Sequence, residues 1–188
     1  MGDFTLIYGC MFSGKTTKMI ELYHQSGVEF HEKIAIKPLL DNRYSPDKIN
    51  AHSGLQMPGH RITRAEELFP LAGEGIKEVY IDEVQFFQKN IADTIIGLTM
   101  QGIHVFAAGL DTDYLGNPFG EFPRLYRMAN TRIRLEARCQ VCGKPARYTY
   151  RTTASDAIIA VGHADMYEAR CGAHWAEGTG LPEPVLQA

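Results

Sequence analysis

A glycine-rich segment near the N-terminus constrains the fold of this chain more than any other feature. It has the pattern G-x-x-x-x-G-K-T and begins at Gly9. The apolar run before it predicts a buried strand at residues 3–8, and the residues after it predict a helix at 16–26. A glycine-rich loop between a strand and a helix is typical of a phosphate-binding P-loop. Its backbone N–H groups and the positive end of the helix dipole face one anion. The predicted phosphate-binding residues are Gly9, Cys10, Met11, Phe12, Ser13, Gly14, Lys15 and Thr16.

Two side chains of this loop have specific expected tasks. We expect Lys15 to reach the β- and γ-phosphates of a nucleoside triphosphate and the hydroxyl of Thr16 to ligate Mg²⁺. The alternative is a glycine-rich turn that matches the pattern by chance. The strand before it and the helix after it favour the phosphate site.

The composition limits the class of protein. Of the 188 residues, 45% are hydrophobic and 22% are charged, which is typical of one globular α/β core with a small appendage. The net charge of −3 gives no electrostatic reason to expect a nucleic acid partner. Because no apolar run reaches about 18 residues and no signal-peptide pattern is visible, we expect no membrane association and a cytoplasmic location.

The order of predicted elements favours an α/β fold of the P-loop NTPase type. Beyond the first strand and helix, apolar runs predict strands at residues 33–37, 78–81, 103–108, 131–136 and 146–152. A capping-box pattern at Thr63 predicts a short helix that ends at Leu71, and helical spacing predicts another helix at 88–101. This alternation predicts a mostly parallel sheet flanked by helices, with a long loop at 39–59.

Four residues with the spacing of metal ligands mark a second region. They form the pairs Cys139-x-x-Cys142 and Cys171-x-x-His174, which together would make a closed structural zinc site. Unrelated thiols are the alternative, and a zinc ribbon that binds nucleic acid would need a stronger basic patch. We therefore expect three regions, namely a P-loop domain at 1–136, a small zinc-ribbon domain at 137–176 and a flexible tail at 177–188.

Two carboxylates, Asp82 and Glu83, directly follow the predicted strand at 78–81. Ligands of open α/β sheets bind at the carboxyl ends of the strands, so Asp82 could hold Mg²⁺ through water. Glu83 could position an acceptor hydroxyl and take its proton. The alternative is a solvated pair that caps the next helix.

Nearby ring side chains have two interpretations. Phe86, Phe87 and Tyr114 could line a pocket for a planar ligand or pack in the core. His104 lies within an apolar strand pattern, which predicts a hydrogen-bonded core histidine.

Taken together, these motifs resemble the type II, zinc-containing thymidine kinases, which comprise the human cytosolic-like and bacterial enzymes. The similarity covers nearly the whole chain, in the family's motif order. The matching segments are residues 11–17, 41–44, 51–54, 81–87, 109–114 and 118–119, and the two zinc half-sites. Val84 stands where the family usually has Ala or Gly, and His163, Ala164, Asp165 and Met166 depart from the family pattern.

The resemblance implies a kinase that transfers the γ-phosphoryl group of ATP to the 5′-hydroxyl of thymidine or deoxyuridine, in nucleoside salvage for DNA synthesis. It implies that Glu83 is the general base and that Asp82 holds Mg²⁺. Further ATP-site residues implied by the resemblance are Asp41, Asn42, Arg43, Val84 and Gln85. Residues implied to contact the nucleoside, some on a loop called the lasso, are Met11, Tyr114, Thr149, Ile158, Ile159, Ala160, Val161, Gly162 and Tyr167.

The resemblance also implies a homotetramer and feedback inhibition by dTTP. Two other functions stay open at this point. One is a P-loop ATPase or regulatory switch whose zinc ribbon binds a macromolecule. The other is a related kinase for another nucleoside, such as deoxyuridine or deoxycytidine.

Overall fold

The chain forms five α-helices and twelve β-strands within the part described by a computed structural model, residues 1–40, 47–51, 53–87, 89–153 and 166–184. The helices are α1 (Lys15–Gln25), α2 (Leu68–Leu71), α3 (Ile91–Met100), α4 (Phe122–Met128) and α5 (Gly172–Thr179). The strands are β1 (Phe4–Tyr8), β2 (Lys33–Pro38), β3 (Lys48–Asn50), β4 (Gln56–Pro58), β5 (His60–Ile62), β6 (Glu78–Ile81), β7 (His104–Gly109), β8 (Thr131–Arg134), β9 (Ala137–Arg138), β10 (Pro145–Ala146), β11 (Tyr148–Arg151) and β12 (Tyr167–Arg170).

The central sheet has six strands in the order β5-β2-β6-β7-β1-β8, and all its pairings are parallel. This confirms the predicted α/β fold with a mostly parallel sheet. Strand β7 pairs with β1 on one side and with β6 on the other. The segments that follow β1, β7 and β6 therefore emerge side by side at one edge of the sheet.

Both faces of the sheet are buried, and successive side chains of each strand enter opposite faces. Phe4 and Leu6 of β1 belong to one core cluster, and Ile7 belongs to the other. Strand β6 repeats this pattern, since Val79 and Ile81 join the first cluster and Tyr80 joins the second. Each strand thus holds together two apolar layers.

The helices supply the outer side of each layer. The apolar residues of α1 pack on the face of Ile7, whereas α2, α3 and α4 pack on the face of Leu6. Helix α3 begins at Ile91, three residues later than predicted, after Asn90 in the left-handed region (φ 64°). Asn90 lies before the first turn because its left-handed backbone cannot belong to the helix.

Some local predictions were wrong. Strands β3 and β4 form an antiparallel hairpin inside the predicted loop at 39–59, and their Ile49 and Met57 pack in the second core cluster. His104 is exposed rather than in the core, because it is the first residue of β7. The helical turn after residue 63 has Arg64, not Thr63, at its N-cap, with the Arg64 N–H donating to Glu67.

The region after residue 136 forms two small antiparallel sheets, β9-β10 and β11-β12, and the helix α5. The predicted strand at 146–152 is divided between β10 and β11. Helix α5 extends across residue 177, where the tail was predicted to begin. Glu183, within the predicted tail, accepts a hydrogen bond from the hydroxyl of Tyr148 at 3.1 Å.

Among the described residues, none of the helices combines the length and apolar character that a membrane span requires.

Two adjacent isoleucines of α3 test this packing. Ile95 is fully buried, whereas Ile96 is 37% exposed. We expect Ile95→Ala to lower the free energy of unfolding by about 2–5 kcal/mol through loss of burial and a cavity. The matched change Ile96→Ala should cost less than about 1 kcal/mol. Urea denaturation measures both, and equal effects would contradict the orientation of α3.

Candidate functional site

The P-loop connects β1 to α1 at the carboxyl edge of the sheet, and two of its glycines meet specific backbone requirements. Gly14 has a φ of 83°, in the left-handed region that other residues rarely adopt. A Cβ on Gly9 would lie 2.2 Å from the backbone oxygen of Leu135, so only glycine allows this close approach. The loop geometry thus depends on both glycines of the sequence pattern.

The ammonium of Lys15 is held within this loop. Its Nζ donates to the carbonyl oxygen of Cys10 at 2.7 Å and lies 3.4 Å from the hydroxyl of Ser13. Burial lowers the pKa of Lys15, and the negative charges of Glu83 and Asp111 oppose this shift. A cation is therefore surrounded by loop oxygens at the helix N-terminus, where it can stabilise a polyphosphate.

Thr16 and Asp82 meet although they follow strands that are not neighbours. The Thr16 hydroxyl lies 3.2 Å from each carboxylate oxygen of the buried Asp82. Octahedral Mg²⁺ has oxygen ligands at about 2.0–2.1 Å, so adjacent ligand oxygens are about 3 Å apart. The pair therefore fits one Mg²⁺ ion, which Asp82 could hold directly or through water.

Glu83 is held in an unusual backbone conformation. Its φ is 50° and its ψ is 44°, which costs a non-glycine residue about 1–2 kcal/mol. The side-chain amide of the buried Gln85 donates to Glu83 Oε2 at 2.6 Å, and Gln85 Oε1 accepts from the Leu110 N–H at 3.1 Å. Gln85 thereby fixes the carboxylate of Glu83 relative to the end of β7. Backbone strain of this kind occurs at functional sites.

Two predicted ATP-site residues point into the protein. Val84 is 2% exposed and belongs to the first core cluster. Cys10 is 1% exposed, and its thiol donates to the Ala146 carbonyl at 3.4 Å. Either residue could contact a nucleotide only through its backbone.

Asp111 is a site residue to which the sequence analysis assigned no role. It lies two residues beyond β7, between the segments that carry Thr16 and Asp82, and is 3% exposed. Its Oδ1 is buried and has no hydrogen-bond partner among the described residues. Burial raises the pKa of Asp111, whereas backbone N–H groups and the charges of Lys15 and Arg134 oppose this shift. The position of a carboxylate just after an apolar strand, as at Asp82, was the available sequence signal.

The four predicted metal ligands come together at the start of α5. The ligand atoms of Cys139, Cys142, Cys171 and His174 all lie within 4.8 Å of one another. The sulfur atoms of Cys142 and Cys171 are 3.9 Å apart, and His174 Nδ1 lies 3.6 Å from the sulfur of Cys139. Tetrahedral zinc, with bonds of about 2.3 Å to sulfur and 2.0–2.1 Å to nitrogen, gives ligand separations of roughly 3.5–3.8 Å. The cluster could therefore hold one zinc ion.

The local backbone prepares Cys139 for metal binding. Burial opposes ionisation of its thiol, but backbone N–H groups of Cys171, Cys142 and Val141 lower the pKa of Cys139 to about 6. The thiolate, which is the form that binds metals, is thus favoured near neutral pH.

Four of the residues predicted to contact a nucleoside are linked in two pairs. The hydroxyl of Thr149 in β11 accepts from the Met11 N–H at 3.0 Å. The guanidinium of Arg151 lies 5.0 Å from the ring centroid of Tyr114 and 5.6 Å from that of Tyr167. Arg151 therefore joins two predicted nucleoside contacts by cation–π interaction, a role that no sequence motif indicates.

The aromatic residues after Glu83 separate into two groups. Phe87 packs in the first core cluster, whereas the half-buried Phe86 meets Phe119 edge to face at 5.9 Å. Only Phe86 is therefore available to line a pocket.

Some predicted site residues lie outside the described residues, and their assignments stay predictions. They are Asp41, Asn42, Arg43, Ile158, Ile159, Ala160, Val161 and Gly162.

The raised pKa of Asp111 predicts a pH dependence of stability. The folded chain binds this proton more tightly than the unfolded chain, whose aspartate has the ordinary value of 3.8. The stability that protonated Asp111 contributes to the folded chain is present below pH 3.8, and it is lost as the pH rises through the raised pKa. We expect Asp111→Asn, which stays neutral, to be at least as stable as the wild-type chain at about pH 7, with a gain that shrinks toward about pH 4.

Urea denaturation at several pH values measures this difference. The control is Asp113→Asn, because the carboxylate of Asp113 accepts from the N–H groups of Leu115 and Asn117, both at 2.9 Å. That change should lower stability at neutral pH. A clear loss of stability in Asp111→Asn at neutral pH would contradict the prediction.

One solved structure similar to this chain is the genome packaging NTPase B204 from Sulfolobus turreted icosahedral virus 2 in complex with ATP-gammaS. It is 14% identical, with 82% of this chain and 77% of that chain covered and a TM-score of 0.40. A TM-score this low supports no assignment.

The thymidine kinase family model matches residues 2–175. The match includes the P-loop, Asp82 and Glu83, and all four residues of the metal-ligand cluster. The chain belongs to the thymidine kinase family.

Proposed function

We propose that this protein is an ATP-dependent thymidine kinase that phosphorylates the 5′-hydroxyl of thymidine or deoxyuridine in nucleoside salvage. One observation carries the proposal. In a member of the thymidine kinase family, a P-loop and a strained, tethered glutamate, Glu83, lie at the same edge of the sheet. A phosphate site and a base at this edge suit transfer of a phosphoryl group to a hydroxyl.

The donor side consists of the P-loop and Asp82. Lys15 Nζ, at the start of α1, would exchange its contact with the Cys10 carbonyl for oxygens of the β- and γ-phosphates. Thr16 and Asp82 would hold Mg²⁺, which supplies charge neutralisation on the phosphate oxygens when bound. Positioning and electrostatics from these fixed groups would supply most of the rate enhancement. Arg43 is a candidate for further transition-state charge.

The acceptor side centres on Glu83. Its carboxylate would accept the proton of the 5′-hydroxyl while that oxygen forms a bond to the γ-phosphorus and the bond to the β-phosphate oxygen breaks. ADP leaves with the bridging oxygen. Gln85, which donates to Glu83 Oε2, would keep the carboxylate aimed at the hydroxyl.

The nucleoside would lie between the loop that carries Tyr114 and the strand that carries Thr149, next to Met11 and Tyr167. Two contacts support this position of the nucleoside. The Met11 N–H donates to the Thr149 hydroxyl, and the guanidinium of Arg151 lies beside the rings of Tyr114 and Tyr167. Thymine presents an acceptor, a donor and an acceptor along one edge, which backbone groups of the lasso can satisfy. A wrong base would leave buried polar groups unpaired, so discrimination would be strong.

The cluster of three cysteines and one histidine would hold a structural zinc ion. With four protein ligands, the ion would have no open position for a catalytic water, so its role would be structural. The homotetramer, inhibition by dTTP, the cytoplasmic location and the ATP contacts of Asp41 and Asn42 remain predictions from the family resemblance.

A panel of nucleosides with γ-labelled ATP tests the proposed reaction. We expect label in the nucleoside monophosphate with thymidine and deoxyuridine. We expect Glu83→Gln to lower turnover at least about a hundredfold while ATP binding, measured by calorimetry, is retained, since only the proton acceptor is lost. The control Glu74→Gln changes an exposed glutamate and should keep normal turnover.

Three outcomes would contradict parts of this proposal. Near-normal turnover of Glu83→Gln would exclude Glu83 as the base. Hydrolysis of ATP without any nucleoside dependence would favour an ATPase or switch. Preference for deoxycytidine would retain the kinase and change its substrate.

The metal content of purified variants tests the zinc assignment. We expect about one zinc per wild-type chain and less than about half an equivalent in His174→Ala, because a structural site needs all four ligands. The control is Cys10→Ala, since Cys10 is the one cysteine outside the cluster. Loss of zinc in Cys10→Ala, or full zinc in His174→Ala, would contradict this ligand set.

A further inference from the structure

Trp175 is the only tryptophan of the chain, and its indole N–H connects two segments that are distant in sequence. Its indole N–H lies 3.2 Å from the carbonyl oxygen of Tyr114 and 3.2 Å from that of Thr149. Tyr114 belongs to the loop after β7, and Thr149 belongs to β11. The indole, which is 1% exposed, is therefore shared between the large sheet and the small C-terminal sheet.

The surroundings of the indole restrict its movement. Trp175 follows His174 directly in α5. The backbone N–H of Trp175 donates to the Cys171 carbonyl at 2.9 Å. The ring of Tyr148 packs against it with a centroid distance of 5.3 Å. These contacts fix the indole relative to the two carbonyl groups.

We propose that Trp175 is a positioning residue for the nucleoside, because its indole N–H sets the separation between the Tyr114 loop and β11. This inference rests on the proposed function, in which Tyr114 and Thr149 border the nucleoside. Trp175 itself would touch neither substrate. It acts through the backbone of the two residues that do.

The same contacts link the nucleoside side to the phosphate side. The Thr149 hydroxyl accepts from the Met11 N–H of the P-loop, while the Thr149 carbonyl accepts from Trp175. Thr149 is thus held from both sides. Phosphoryl transfer requires the acceptor oxygen and the γ-phosphorus within about 3–3.5 Å, so a small shift of this strand would misalign them.

A purely structural role predicts something different. If Trp175 only fills the core, its ring matters and its N–H does not. Trp175→Phe separates the two roles, because it keeps an aromatic ring and removes the donor to both carbonyls. The control Tyr148→Phe removes a nearby hydroxyl that donates to Glu183 and Pro184 but contacts neither carbonyl.

Steady-state kinetics with both substrates gives the required readout. In Trp175→Phe we expect the KM for thymidine to rise at least about fivefold, the scale of losing a buried donor, while the KM for ATP changes less than about twofold. In Tyr148→Phe both KM values should stay within about twofold of wild type. Equal increases in both KM values of Trp175→Phe, or no increase for thymidine, would overturn the inference.

Fluorescence of the wild-type chain provides a second measurement, even where Trp175→Phe does not fold. Because Trp175 is the sole tryptophan, we expect saturable change in its emission on addition of thymidine, with a midpoint near the KM for thymidine. Constant emission at saturating thymidine would overturn the inference. Absence of thymidine phosphorylation by the wild-type chain would instead refute the proposed function.

Discussion

The contact between Thr16 and Asp82 depends on the order of strands more than on any local feature. The two residues follow β1 and β6, and β7 lies between these strands. Parallel pairing brings all three carboxyl ends to one edge, so the hydroxyl and the carboxylate approach to 3.2 Å. An antiparallel β6 would carry Asp82 to the opposite edge of the sheet and away from Thr16. The proposed phosphate-donor half of the site is thus a consequence of sheet topology.

The proposed nucleoside-acceptor half of the site depends on how the small C-terminal region packs against the P-loop. The Cys10 thiol donates to the Ala146 carbonyl, and the Met11 N–H donates to Thr149. The metal-ligand cluster organises the chain around α5 and thereby the position of Trp175. One hydrogen-bonded route therefore runs from the metal-ligand cluster through Trp175 and Thr149 to the phosphate loop.

The site also contains groups that do not favour stability. Glu83 has a left-handed backbone, and Asp111 buries a carboxylate oxygen without a hydrogen-bond partner among the described residues. Each costs free energy that the two apolar layers of the sheet must offset. Groups with such costs are typical of sites where charge and geometry are used in chemistry.

The sequence by itself determined the features that depend on residues close together in the chain. These are the P-loop with its two required glycines, the spaced metal ligands, and the strands and helices with long apolar patterns. Only the tertiary structure decided contacts between distant residues, such as Gln85 with Leu110, Arg151 with two tyrosine rings, and Trp175 with Tyr114 and Thr149. The hairpin β3-β4 was missed because strands of three residues are too short for periodicity, and they form only where Ile49 and Met57 find the core. These contacts join segments far apart in the chain, so their partners are set by packing rather than by local pattern.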